Sequence, residues 1–184
     1  MVDKELTGAF GDKGTKVNAI AYGHPYGEQI VESAKDILRE SETGRLLIKV
    51  HNVHNIPIHV IKGTGESGFN PQSRVVYLQV PGKVEKPDSK IIISLIKALR
   101  EADQELIGFT APDPTKDLME YAAVMHAKNL DSIVYVCKVV KELSHSSHFP
   151  VLLDALAEIG FNNVYKAYEV NASKEELFDA YAGR

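Results

Sequence analysis

The sequence predicts a single domain of the α+β class, and three observations support this prediction. Apolar residues recur at helical spacing near the N terminus and throughout the second half of the chain. Two short β-branched segments lie between these helical regions and read as strands. The resulting order of helix, helix, strand, strand and about four further helices lacks the alternation that gives a parallel sheet. We therefore expect a small mixed or antiparallel sheet, a central helix and additional C-terminal helices.

The composition is that of a globular protein with one hydrophobic core. The chain has 184 residues, of which 44% are hydrophobic and 25% are charged. A net charge of −4 argues against nucleic-acid binding and against binding to anionic membranes. No apolar run approaches the roughly 18 residues of a membrane span. No secretory signal is visible, so we expect a cytoplasmic protein.

The N-terminal part is expected to contain an arm, a strand and two helices. Residues 1–15 are rich in breakers and are expected to form a flexible arm, which leaves residues 16–184 as the single domain. A short strand is expected within Lys16–Tyr22. Pro25 suits the first turn of a helix. The two helices are marked by apolar residues at helical spacing: Ile30, Val31, Ala34, Ile37 and Leu38 in the first, and Leu46, Leu47, Val50 and Val53 in the second.

The central part is expected to contain both strands and the longest amphipathic pattern. Ile56–Ile61 and Arg74–Val80 have the composition of strands, and the segment Gly63–Ser73 between them is rich in turn formers. Asp88 is placed to cap the following helix. The apolar face of that helix consists of Ile92, Leu95, Ile96, Leu99, Ala102 and Leu106.

The second half of the chain is expected to be helical. Asp113 and Pro114 fit the N-cap and first positions of a helical region that ends near Leu143, with a break near residues 129–131. Gly160 is placed to end a later helix. The last helix is expected to begin with a capping box, which is the pattern formed by Ser173 and Glu176.

Two familiar motifs do not support their usual chemistry in this chain. Gly63–Gly68 reads G-x-G-x-x-G, but a dinucleotide site needs a helix directly after the last glycine. A strand is expected there instead, so the glycines indicate an irregular connection. Cys137 lies among core-forming residues and is expected to pack in the core rather than act as a nucleophile.

The histidines do not define a metal site by their spacing. Two pairs are separated by two residues, but each lacks an obvious third ligand, and two histidines alone are weak evidence for a metal. The remaining candidates are single residues in a strand and in a helix. The histidines considered are His51 and His54, His145 and His148, His59, and His126.

The helix after the second strand resembles the metal-binding helix of zincin-type metallopeptidases. In these enzymes H-E-x-x-H places two histidine ligands one turn apart, with a glutamate base beside the metal. A bacterial group of zincin-type metallopeptidases has a helix that reads roughly L-x-H-E-L-R-H-A. Residues Leu95–Ala102 keep the flanking Leu, Leu, Arg and Ala, but Lys97, Ala98 and Glu101 stand at the three chemical positions.

The resemblance extends over about residues 41–143. Ser41–Leu47 is similar to a helix start in the same group, and Gly68–Pro71 is similar to its turn before the strand. Arg74–Val80 occupies the place of the edge strand that precedes the zincin metal helix. Glu120, in Glu120–Ala123, fits the position of the third zinc ligand. The resemblance thus implies a zincin-like fold.

The substitutions in this helix imply a degenerate site. A cationic lysine repels a divalent metal, and alanine supplies no base, so the resemblance implies no catalytic residue and no bound cofactor. We predict that the Lys97 ammonium takes the place of the metal, held by Glu101 and Glu120. If a metal does bind, Glu101, Glu120 and His126 are its candidate ligands.

Three functions are therefore considered. The first is a non-catalytic, metallopeptidase-like domain that binds a peptide or protein, with a peptide added to the edge strand. The second is an active metal-dependent hydrolase or peptidase that uses zinc or another metal with non-standard ligands. The third is a helical structural or interaction domain unrelated to peptidases. None of them includes nucleic-acid or membrane binding, and the sequence does not define an oligomeric state.

Overall fold

In this computed structural model of the protein, residues 19–21, 23–109 and 112–183 are described, and the arm expected at residues 1–15 lies outside them. The described residues form an α+β fold with four strands and seven helices. The strands are β1 (Ala19–Ala21), β2 (Ile58–Lys62), β3 (Gly68–Asn70) and β4 (Val75–Val80). The helices are α1 (Gly27–Leu38), α2 (Glu42–Val53), α3 (Ser89–Leu106), α4 (Leu118–Glu142), α5 (Phe149–Glu158), α6 (Asn162–Glu169) and α7 (Lys174–Ala182).

The sheet is mixed, with the strand order β1-β2-β4-β3. β1 pairs with β2 and β2 pairs with β4 in parallel, whereas β3 is antiparallel to β4. The expectation that the element order argues against parallel pairing is wrong for these three strands. Parallel neighbours need a connection that brings the chain back to the starting end of the sheet. Helices α1 and α2 do this between β1 and β2, and the antiparallel strand β3 does it between β2 and β4.

The edge strand next to β4 is β3, a strand that the sequence did not predict. Arg74–Val80 was expected to be the edge strand, but β4 lies between β2 and β3. The turn-rich segment before it contains β3, which pairs with β4 from Gly68 to Asn70. The Asn70 side chain accepts hydrogen bonds from the next turn, and Arg74 has a φ of 55°, so a tight turn returns the chain into β4.

Helix α3 lies at the centre of the fold. It packs against β3 and β4 and also contacts α2, α4 and α5, while α1 covers β1 and β2. Its residues Leu95, Ile96 and Leu99 are buried in a single hydrophobic core that extends to the C-terminal helices. Within the part of the chain that the structure describes, no helix is both long and apolar enough to cross a lipid bilayer.

The helix boundaries follow local capping in most places. The Asp88 carboxylate accepts a hydrogen bond from the Ile91 amide at 2.9 Å, and Ser173 forms the expected capping box with Glu176. Gly160, with a φ of 83°, lies just beyond α5. These three predictions are confirmed. Helix α6, in contrast, was not expected.

Helix α4 differs from its prediction at its start and in its continuity. Its N-cap is Asp117, whose side chain accepts a hydrogen bond from the Glu120 amide, rather than Asp113. Asp113 instead forms a local turn with the backbone and hydroxyl groups of Thr115. The helix continues through residues 129–131 without a break, because Asn129 and Asp131 make contacts with other elements.

Candidate functional site

A cavity of about 680 Å³ lies where α3, α4, α7 and the edge strand β3 meet. One face of α3 forms its floor, since residues four apart along a helix point in the same direction. The residues that line it are Glu66, Phe69 and Pro71 around β3; Lys97, Glu101 and Glu105 from α3; Tyr121, Ala122, Met125, His126, Lys128 and Asn129 from α4; and Tyr181 from α7.

Four charged side chains that line the cavity, three from α3 and one from α4, form two ion pairs. Lys97 Nζ donates to Glu101 Oε1 at 2.9 Å, and Lys128 Nζ donates to Glu105 Oε2 at 3.1 Å. All four side chains are partly buried, with between 17% and 29% of each exposed. Desolvation offsets much of the Coulomb attraction in such pairs, so they fix geometry more than they add stability.

Glu101 also joins α3 to the edge strand. Its second carboxylate oxygen, Oε2, accepts a hydrogen bond from the backbone N–H of Phe69 at 3.1 Å. The neighbouring Gly68 allows this close approach, because a Cβ atom there would lie 3.0 Å from the same oxygen. One carboxylate is therefore held by an ammonium group on one side and a backbone amide on the other.

A buried polar network behind the cavity fixes α3 against α4. The Arg100 guanidinium donates to Asp131 at 2.7 Å and stacks 3.8 Å from the centre of the Tyr135 ring. Burial opposes the charge of Arg100, but Asp131, with smaller contributions from Tyr135 and Asp103, outweighs this effect, so the pKa of Arg100 is raised. Gln104 donates to both the Lys128 carbonyl and Asp131. These contacts hold the α3 floor of the cavity against its α4 wall.

Helix α7 contributes Tyr181 to the lining of the cavity. Asn129 Nδ2 donates to the Tyr181 hydroxyl at 2.7 Å, and the His126 ring meets the Tyr181 ring edge-on, with 6.2 Å between centroids. Tyr121 and Met125 add apolar surface on the same helix as Asn129. The cavity therefore combines paired charges on the floor with aromatic and apolar groups on the wall.

The structure brings some of the sequence-predicted site residues together and separates others. Lys97, Glu101 and His126 line the cavity, whereas Ala98 is fully buried in the core. Glu120 is exposed in the first turn of α4 and is not among the lining residues. The predicted cluster of one lysine and two carboxylates is therefore a single pair, because α4 turns Tyr121 and Ala122, rather than Glu120, towards the cavity.

The described part of the chain was expected to contain a packed cysteine and, if a metal binds, ligands from the acidic residues and His126. Among residues 19–21, 23–109 and 112–183, no three His, Cys, Asp or Glu side chains form a group that could hold a metal ion. Cys137 is fully buried, which confirms its expected packing role. Burial raises the pKa of its thiol to about 12, far from the range of a reactive thiolate.

Comparison of the chain with models of protein families, with curated proteins and with solved structures gave no match.

Several cavity residues were not anticipated from the sequence. The most important is Phe69, because its contribution is a backbone amide in a segment that reads as a turn. Tyr181 comes from the end of the chain, and its approach depends on how α7 packs. The sequence does place apolar residues at the start of α4, and the structure leaves Leu118 and Met119 68% and 80% exposed there, about one turn before Ala122 of the cavity wall. Exposed apolar residues beside a cleft commonly mark an interaction surface.

Proposed function

We propose that this protein is a non-catalytic, zincin-like domain that binds a peptide or an extended protein segment in the cavity beside β3. The observation that carries the proposal is the position of the cavity at the free edge of the sheet, where Phe69 presents a backbone amide to Glu101. An extended peptide binds such an edge by adding a strand, which gives main-chain hydrogen bonds without a catalytic group.

The identity of the residues at the zincin positions supports a non-catalytic role. Lys97 donates a hydrogen bond through its ammonium group, which has no lone pair for a metal ion. Ala98 is buried and has no group that could act as a base. The helix that carries them follows β4, which is an internal strand, and contacts the edge strand β3.

The chemistry of the wall supports a peptide as the ligand. Tyr121 and Met125 provide aromatic and thioether surface, and Pro71 lies on the opposite side. Aromatic residues and methionine are enriched at protein interfaces, and methionine adapts to different partners. Leu118 and Met119 are exposed about one turn before Ala122 on the same helix and offer further apolar surface to a partner.

A pair of tryptophan substitutions on α4 tests the site. Ala122 lines the cavity, so Ala122→Trp should fill it, whereas Ala127 is exposed on the same helix and does not line it. A random 12-residue peptide library displayed on phage serves as the probe. We expect wild type and Ala127→Trp to bind the recovered peptides equally, and Ala122→Trp to bind them at least tenfold more weakly by calorimetry. Equal binding by both variants, or no recovered peptide, would contradict the proposal.

Metal analysis separates the proposal from the hydrolase alternative. We expect purified protein to contain no stoichiometric zinc and to leave casein uncleaved. A full equivalent of zinc, together with casein cleavage that a chelator abolishes, would replace the proposal with an active hydrolase. Loss of that cleavage in Glu120→Ala would then assign Glu120 to its site. Peptides that bind, but that protect backbone amides from hydrogen exchange only outside the cavity, would favour an interaction domain unrelated to peptidases.

A further inference from the structure

We infer that Glu101 is an internal competitor for the peptide-binding edge, because its carboxylate occupies the backbone amide that an added strand would use. This inference rests on the proposed function and concerns the regulation of the same site. It predicts that a main-chain carbonyl of an incoming peptide replaces the Glu101 carboxylate as the acceptor of the hydrogen bond from the Phe69 amide. The ligand is then an extended peptide with a free carbonyl opposite Phe69 and an apolar side chain for the wall formed by α4.

The register of the sheet places the Phe69 amide on the free edge. Phe69 lies opposite Val76 in the antiparallel pair, between Gly68 and Asn70. In an antiparallel ladder, alternate residues direct their amides towards the partner strand and away from it. The Phe69 N–H donates to Glu101 at 3.1 Å, so it belongs to the outward set. It is the central amide of a strand of three residues.

Lys97 makes the exchange possible without leaving a buried charge unpaired. Glu101 uses Oε1 for Lys97 and Oε2 for Phe69, so the two contacts are separate. When a peptide carbonyl takes the amide, the carboxylate keeps its ion pair with Lys97. The carboxylate is nevertheless the stronger acceptor, because hydrogen bonds to ionised groups are stronger than those between neutral groups. Glu101 should therefore weaken peptide binding in the wild-type protein.

In the free protein, the hydrogen bond from Phe69 to Glu101 also protects the sheet edge from pairing with other chains. A free sheet edge presents unpaired amides that can recruit strands from other chains. Glu101 covers the central amide of β3 while no ligand is bound. Only a peptide that gains further contacts in the cavity, such as those with Tyr121 and Met125, recovers what it loses by displacing the carboxylate.

Three substitutions on α3 test the inference. Glu101→Ala removes the competitor, Glu101→Gln keeps an oxygen acceptor without the charge, and Glu105→Ala removes a charge one turn away that pairs with Lys128 instead. Amide hydrogen exchange by NMR measures the protection of Phe69 in the free proteins and in complexes. Calorimetry measures the affinity for the peptide that wild type recovers from the library.

We expect Glu101→Ala to accelerate exchange of the free Phe69 amide about tenfold and to raise peptide affinity about tenfold. In the complex, the Phe69 amide should be protected again. Glu101→Gln should fall between this variant and wild type in both measurements, which keeps the test valid if Glu101→Ala does not fold. Glu105→Ala should leave exchange of the free Phe69 amide unchanged.

The possible failures are distinguishable. Unchanged Phe69 exchange in Glu101→Ala and Glu101→Gln would overturn the inference directly. Peptide binding with equal affinity in all variants, and with Phe69 unprotected in the complex, would also overturn it but would leave binding in the cavity intact. Absence of peptide binding to every variant would overturn the proposed function and this inference with it.

Discussion

At the scale of single residues, the most unusual environment is that of His51, a buried residue of α2 that lies near Lys35 of α1. Its side chain is 1% exposed, and neither ring nitrogen has a well-formed hydrogen bond to another described residue. Burial, and then the charge of nearby Lys35, lower the pKa of His51 to about 4, while Glu32 and the Ile56 backbone oppose the shift weakly. Lys35 is itself buried and pairs with Glu32 at 2.9 Å. A second positive charge in this place would be unfavourable.

This environment predicts a pH dependence of stability. The pKa of His51 falls from 6.5 to about 4 on folding, so its contribution is complete above pH 6.5 and is lost as the pH falls towards 4. The loss is on the order of 3 kcal/mol. We expect His51→Leu to lose less stability than wild type between these pH values in urea titrations. The exposed His54→Leu is the control and should follow wild type. Parallel stability curves for wild type and His51→Leu would contradict the prediction.

The residues of the candidate site were predictable to different degrees. The pairing of Lys97 with Glu101 follows from their separation of one helical turn, which the sequence displays directly. Glu120 was expected beside them, but the direction of its side chain depends on where α4 begins. The helix begins after Asp117 and not after Asp113, the N-cap that the sequence suggested. The Phe69 amide carries no side-chain signature at all. Only the register of β3 against β4 brings it to Glu101.

At the scale of elements, local capping was predictable and tertiary pairing was not. Asp88 and Ser173 bind amides within three residues of themselves, so short sequence patterns contain the whole interaction. Strand β3 is different because it has three residues and lies among glycine, asparagine and proline. Pairing with β4 and the contact with Glu101 stabilise it. β4 follows after a turn of four residues, but Glu101 lies 32 residues beyond Phe69, and the glycine, asparagine and proline of the segment alone read as a turn.

Another contact between elements joins the end of α4 to the start of α2. The Glu142 carboxylate accepts hydrogen bonds from the Ser41 hydroxyl at 2.6 Å, the Thr43 hydroxyl at 2.6 Å and the Thr43 amide at 2.8 Å. Burial tends to raise the pKa of Glu142, but these hydrogen bonds outweigh it and lower the pKa. The carboxylate satisfies an amide of the first turn of α2 and lies near the positive end of its dipole.

Removal of this carboxylate should therefore destabilise the protein. We expect Glu142→Ala to lower the free energy of unfolding by about 1–3 kcal/mol, because it leaves three donors without their acceptor. The exposed loop residue Glu85, changed to Ala, is the control and should have little effect. Because the pKa of Glu142 is lowered on folding, its stabilising effect is present above its ordinary pKa and is lost as the pH falls. Equal stability of wild type and Glu142→Ala at neutral pH would exclude this role.

At the scale of the whole molecule, the α+β class followed from the sequence but the parallel pairing did not. The periodicity of each helix and strand is local, so their number and order were largely visible. Pairing depends on which strands the helices bring together. β1 contains three residues, and its parallel partner β2 lies beyond two helices. Element order therefore did not reveal that the connection from β2 to β4 includes a third strand, β3, which lies at the edge of the sheet beside β4.

One continuous core joins the sheet to the C-terminal helices, and this predicts a single cooperative unfolding transition. Leu95 of α3 is fully buried in a cluster that includes Val76 of the sheet and Leu152 of α5. We expect Leu95→Ala to lower the free energy of unfolding by about 2–5 kcal/mol, because it removes buried contacts and leaves a cavity. Leu46→Ala, at a leucine that is 54% exposed, should cost much less. Urea unfolding followed by far-UV circular dichroism and by tyrosine fluorescence measures both, and the two signals should change together in wild type and in each variant. Separate transitions, or a loss confined to one signal in Leu95→Ala, would show that the sheet and the C-terminal helices unfold independently.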